Sequence, residues 1–140
     1  MALPAVMQSS LVAILVLLAQ AAEYDNLFSV FGYGTCVDSA GRQYDGWSGT
    51  ATFSECQGLC DEARDCTGFD FHHGDGGDGP KDWCELRFND GTAPAMPPSK
   101  AMRHSHFNHQ GDGPPTKVYL DKQNFKRKCY SKKRDRAQEL

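Results

Sequence analysis

The sequence predicts an α+β fold: one helix among several short strands, stapled by disulfides. Three observations carry that expectation. Six cysteines follow an apolar leader, and four of them, Cys56, Cys60, Cys66 and Cys84, fall in one run. Thr52 to Arg64 (TFSECQGLCDEAR) has the apolar spacing of a helix, and the segments after it alternate apolar and polar residues as half-buried strands do.

The leader sets the compartment. Leu11 to Leu18 (LVAILVLL) is unbroken apolar chain, shorter than the roughly 20 residues a helix needs to cross about 30 Å of hydrocarbon. Ala19-Gln20-Ala21 follows with small residues at the two recognised positions, so cleavage is expected after Ala21, or after Ala22 if Gln20 and Ala22 form the recognised pair. No Lys or Arg precedes the apolar run, leaving the terminal amine as its positive charge. Residues 1–21 are read as a signal peptide, 22–32 as an N-terminal arm, 33–133 as the domain and 134–140 as a basic C-terminal tail. No later segment is apolar enough to span a membrane, so the expectation is secretion.

Glu23 to Val37 (EYDNLFSVFGYGTCV) mixes aromatics and glycine and leads into Cys36 as an opening strand or extended arm. Ser39-Ala40-Gly41 and Asp45-Gly46 are turn signals around Arg42 to Trp47 (RQYDGW). Thr52 and Glu55 stand three residues apart as a capping box at the head of the helix. Phe53, Cys56, Leu59, Cys60 and Ala63 share its apolar face, and Glu55, Gln57, Asp61, Glu62 and Arg64 take the rest. Gly58 weakens this helix by about 1 kcal/mol relative to Ala. After Cys66, Gly68 to Phe71 reads as a strand. His72 to Asp82 (HHGDGGDGPKD) is a loop, Trp83 to Phe88 (WCELRF) the next strand, and Asn89-Asp90-Gly91 its closing turn. Thr92 to Lys100, with three prolines, is extended surface chain. Met102 to His109 and Lys117 to Tyr130 each suit a strand, separated by Gly111 to Pro115.

The net charge of -3 conceals a division. Residues 22–125 hold 8 Lys/Arg and 16 Asp/Glu, while the last fifteen hold 7 basic and 2 acidic residues. The tail KRKCYSKKRDR suits an anionic partner such as a sulfated glycan or a membrane surface; the alternative is a solvated end.

Six cysteines permit fifteen pairings, and spacing alone does not choose among them. The short step from Cys60 to Cys66, across the end of the helix, favours a link between those two. Cys56 and Cys60 on one helix face supply only half of the doubled ligand pairs of a zinc site, so disulfides are expected. The spacing Cys, three residues, Cys, five residues, Cys, then a Gly-Phe strand and Cys84 in a short apolar strand, with Cys36 upstream and Cys129 near the end, resembles the PAN/apple domain family. The resemblance covers about Tyr33 to Lys133 and is strongest over Thr52 to Arg87. It implies bonds from Cys56 to Cys84, Cys60 to Cys66 and Cys36 to Cys129, and a helix lying across a curved antiparallel sheet. It also implies a secreted module that binds extracellular carbohydrate or protein.

Other chemistries leave weaker signals. His104, His106 and His109, with His72 and His73 elsewhere, are read as surface histidines because no acid or cysteine partners stand at fixed spacing. Asp75, Asp78 and Asp82 offer oxygen ligands to Ca²⁺, but in a loop without the alternating order of an EF-hand. No metal or other cofactor and no nucleic-acid partner is expected. The chain has no Gly-x-Ser-x-Gly, no His-Glu-x-x-His and no phosphate-cradling loop, and all six cysteines are assigned to disulfides, so catalysis is not expected. Ala137-Gln138-Glu139-Leu140 shares only its last two residues with an ER retrieval signal, and chance is the preferred account. A carbohydrate-binding module would expose Trp47, Trp83 or Tyr44 for sugar stacking; core packing is the alternative for each. A protein-binding module would present a larger apolar patch with a polar rim. The third class, a small cysteine-rich protease inhibitor or effector, would use His72 to Asp82 as an exposed loop.

Overall fold

The computed structural model describes residues 13–14, 27–74, 82–120 and 126–133. The rest of the apolar leader, Asp75 and Asp78, and the tail 134–140 with its Ala137 to Leu140 end lie outside the described residues. The elements are β1 (Phe28–Tyr33), β2 (Thr35–Val37), β3 (Asp45–Thr50), α1 (Phe53–Glu62), β4 (Cys66–His72), β5 (Trp83–Phe88), β6 (Met102–His106), β7 (Lys117–Tyr119) and β8 (Lys128–Lys132). Six strands form one sheet in the order β1-β8-β4-β5-β3-β6, and β2 pairs with β7 in a second, two-stranded sheet. Every pairing is antiparallel. Over the described residues the fold is α+β, with α1 packed on an antiparallel sheet.

Local chemistry explains where α1 starts and stops. The Glu55 amide donates to Thr52 Oγ1 at 3.2 Å and the Thr52 amide donates to Glu55 Oε2 at 2.9 Å, closing the capping box. At the other end Lys132 reaches over from β8, and its ammonium donates to the carbonyls of Cys60, Asp61 and Ala63 at 3.0, 3.1 and 3.3 Å. A cation placed on the last carbonyls satisfies acceptors that the helix itself leaves without partners.

The buried stripe of α1 is centred on Cys56, Gln57 and Cys60. Gln57, expected on the solvent side, is buried because 53, 56, 57 and 60 are the i, i+3, i+4, i+7 set facing the sheet, while Leu59 is only half-buried. Phe53 meets Phe69, Phe71 and Tyr130 edge-on with centroids 5.8, 5.2 and 5.0 Å apart. These rings, with Leu86, Phe88, Trp47 and Met102, form the main core.

Three disulfides join Cys36 to Cys129, Cys56 to Cys84 and Cys60 to Cys66. Cys56 to Cys84 fixes the helix to β5, and Cys36 to Cys129 fixes the small sheet to the large one. A second core of Cys36, Tyr44 and Cys129, with Val118 against it, fills the space between the sheets.

The single strand expected over Lys117 to Tyr130 is two strands in different sheets: β7 pairs with β2, and β8 lies between β1 and β4. Gly34 permits the tight step from β1 to β2: its φ is +125°, and a Cβ there would stand 2.5 Å from the Tyr119 carbonyl oxygen.

Candidate functional site

Strand register divides the residues of the large sheet between its two faces. Trp47, Leu86, Phe69 and Tyr130 lie opposite one another across β3, β5, β4 and β8, and this row faces α1. The next row, Ser48, Glu85, Asp70 and Cys129, belongs to the opposite face. Trp83 and Arg87 share that face, each two residues from Glu85 along β5.

The centre of this second face is a buried ionic network. Arg87 Nε donates to Asp70 Oδ2 at 2.7 Å, and one terminal nitrogen of the same guanidinium bridges Asp70 and Glu85. Asp70 Oδ1 accepts from the Cys36 amide at 2.7 Å. Glu85 Oε1 accepts from Arg127 at 2.9 Å and from the Trp83 indole N–H at 3.2 Å. The chain of contacts thus runs from the small sheet at Cys36 to the indole of Trp83. Burial raises the carboxyl of Asp70, and the nearby Glu85 charge adds to the effect against the pull of Arg87. For Glu85, burial acts in the same direction but is outweighed by Arg87, Arg127 and the Trp83 N–H, so its carboxyl lies below its ordinary range. Sequence reading missed this network. The alternation in WCELRF places Glu85 and Arg87 on one face, but nothing local marks Asp70 as their partner.

Beside the network, Ser48 Oγ and His106 Nε2 are 2.9 Å apart. Ser48 is fully buried, so its hydroxyl is closed to an incoming substrate. Partial desolvation of its ring on the sheet surface lowers His106 below the ordinary imidazole value of 6.5, with Arg87, His109 and His104 acting in the same direction and Glu85 opposing. A lowered folded value makes the unfolded chain the better proton acceptor, so the His106 contribution to stability is complete above pH 6.5 and is lost as pH falls through the lower folded value. The urea midpoint of the native chain is therefore expected to fall between pH 7.5 and pH 5. His106→Asn should show a smaller fall across that interval, and an identical fall in both proteins would dissociate His106 from the acid sensitivity.

The aromatics proposed for sugar stacking separate sharply. Tyr44 is fully buried and its hydroxyl donates to the Gly113 carbonyl at 2.9 Å. Trp47 is 8% exposed, its indole N–H donates to the Pro94 carbonyl at 2.9 Å, and Phe107 covers it edge-on. Both are core residues, since each has its polar atom satisfied by backbone beneath a covering segment. Trp83 alone of the three is half-buried. Its ring lies beside His104 with centroids 5.6 Å apart and a tilt of 36°. A groove of about 460 Å³ runs along it, lined also by Gly49, Thr50, Ala101 and Arg103. Close approach of β3 to the start of β6 forms one wall: a Cβ on Gly49 would lie 1.8 Å from the Ala101 carbonyl oxygen.

A larger cleft of about 730 Å³ lies at the end of α1, where Asp61, Glu62 and Asp65 face Lys132 and Lys133. It offers both signs of charge and no aromatic face.

The histidines do not converge. His104 and His106 lie two residues apart on one face of β6, exposed, while the His109 amide donates to Asp45 Oδ1 at 2.8 Å. His73 and Asp82 are 3.8 Å apart, and Asp82 Oδ1 also accepts from the Gly74 amide at 2.8 Å. Among the described residues, one group brings three residues of metal-ligating type within 4.8 Å: Cys36, Asp70 and Cys129. Its two sulfurs are bonded to each other and its carboxylate is engaged by Arg87 and the Cys36 amide, so the donors are already committed. Among the described residues no helix is long and apolar enough to cross a membrane. Compared with protein-family models, curated proteins and solved structures, the chain has no match.

Proposed function

We propose that this chain is a secreted, noncatalytic binding module of the PAN/apple type, and that it takes carbohydrate against the exposed face of Trp83. The observation that carries this reading is the Trp83 groove. Pyranose rings present a patch of C–H groups that suits the negative face of an aromatic ring. A ring held in one orientation loses little freedom on binding, and the Trp83 indole is held by Glu85 through its N–H. Thr50, Arg103 and His104 stand around it as hydroxyl, guanidinium and imidazole partners for sugar hydroxyls. The cysteine spacing supports the family resemblance, and three disulfides in a small chain suit an oxidising, extracellular setting.

A glycan array probed with residues 22–140, which contain every strand and the helix of the domain, tests the proposal. Specific hits are expected for the native chain. Trp83→Ala should weaken them by about thirtyfold or more, the loss typical of a central aromatic anchor. Because Trp47 is buried, ligand-induced change in tryptophan emission should come from Trp83 and vanish in the same variant. A blank array would transfer the function to a protein ligand.

A further inference from the structure

A corner away from the groove gathers exposed apolar side chains. Val30, Phe31 and Tyr33 on β1, with Tyr119 and Leu120 at the end of β7, are each between 43% and 61% exposed. The two segments lie together because the Gly34 backbone closes onto the Tyr119 carbonyl. β1 is an edge strand of the large sheet.

The chain segments that meet at this corner carry basic but no acidic residues. Residues 28–37, 117–120 and 126–133 contain six Lys/Arg, namely Lys117, Lys126, Arg127, Lys128, Lys132 and Lys133, and no Asp or Glu. Arg127 is engaged by Glu85, and Lys132 and Lys133 belong to the cleft at the end of α1 with Asp61, Glu62 and Asp65, which leaves Lys117, Lys126 and Lys128 to the corner. Lys128 holds its ammonium 5.1 Å from the centre of the Tyr33 ring, inside the apolar corner, and Lys117 is exposed in β7 two residues before Tyr119.

We propose that this corner docks on an anionic lipid surface, with Phe31, Tyr33 and Leu120 entering the headgroup boundary and Lys117 and Lys128 meeting lipid phosphates and carboxylates. Aromatic and aliphatic side chains framed by lysines are what such a boundary receives: rings and hydrocarbon below, ammonium groups at the level of the headgroups. A sulfated glycan would engage the lysines and the ring faces but has nothing to offer Val30 and Leu120. A second copy of the chain would bring like charge against like charge at the same surface. Charge complementarity and aliphatic exposure together favour lipid.

Residues 22–140, without the apolar leader that would itself bind lipid, are floated with vesicles of phosphatidylcholine alone or of phosphatidylcholine with phosphatidylserine. Co-flotation is expected with the anionic vesicles, weakening as salt is raised. Phe31→Ser combined with Leu120→Ser should reduce it about tenfold or more, because two exposed apolar groups no longer enter the boundary. Lys117→Glu with Lys128→Glu should abolish the preference for phosphatidylserine and gives an independent reading from the cationic side. Failure of the native chain to float with anionic vesicles would overturn the proposal, as would undiminished flotation of the Phe31/Leu120 variant. Retention on heparin by that variant, with no vesicle binding by the native chain, would assign the corner to sulfated glycans.

Discussion

Replacing Arg87 with methionine is expected to cost about 3–5 kcal/mol of stability, the loss seen when one partner is removed from a buried ion pair. The guanidinium side chain is 5% exposed and the Asp70 side chain 0%, so the Asp70 carboxylate cannot recruit bulk water in its place. Asp70 would keep only the Cys36 amide, and Glu85 would keep Arg127 and the Trp83 N–H. Urea unfolding at neutral pH with disulfides intact reads the loss. The deficit should shrink as the solution is acidified: burial already raises Asp70, and without Arg87 the folded state favours its protonated form still more, so folding takes up a proton and gains as pH falls. Adding Asp70→Asn to Arg87→Met should cost less than the sum of the two single changes, since the uncompensated carboxylate has gone. A loss below about 1 kcal/mol for Arg87→Met would place the network among pairs that water supports.

The same network ties the Trp83 groove to the stability of the fold. Trp83 is oriented by Glu85, which is held by Arg87 and Arg127, and Arg87 in turn holds Asp70 against the small sheet. The groove therefore has rigid backing that its lining residues alone do not disclose. Burying charge here is costly in itself, and what it secures is a tie between the two sheets, through the Cys36 amide on Asp70.

How much of this was legible in the sequence follows from the range over which each interaction acts. The capping box at Thr52 and Glu55, the helix and the two strands around GFDF and WCELRF are local signals and stand where those residues predict them. The alternation misled on exposure: Asp70, Glu85 and Arg87 are buried, so β4 and β5 are covered on both faces rather than half-buried. Gln57 was misplaced because Leu59 suggested a face rotated away from the true one. Long-range register was illegible. Nothing near Glu85 or Arg87 names Asp70, and nothing in KVY places it against TCV across some eighty residues of chain. Exposure of aromatics was likewise undetermined: Trp47 and Trp83 have similar polar neighbours in sequence, yet Pro94 and Phe107 cover the first and leave the second beside a groove.

Removing the disulfides one at a time should rank them by the length of chain each one closes. Cys36 and Cys129 are 93 residues apart, Cys56 and Cys84 are 28, and Cys60 and Cys66 are 6. Loop-closure entropy in the unfolded chain then gives losses of about 4.6, 3.6 and 2.2 kcal/mol for paired changes to alanine. Native contacts act in the same order. Without the Cys36–Cys129 bond the small sheet is tied to β8 and β4 by noncovalent contacts, among them the Cys36 amide on Asp70 and the packing around Tyr44. Without Cys60–Cys66 the end of α1 is still held by the Lys132 ammonium and by the Cys66 amide, which donates to the Ala63 carbonyl. Urea midpoints should therefore fall furthest for Cys36→Ala/Cys129→Ala and least for Cys60→Ala/Cys66→Ala. If the shortest loop proved the most damaging, the helix terminus rather than the junction between the two sheets would be the point on which this fold depends.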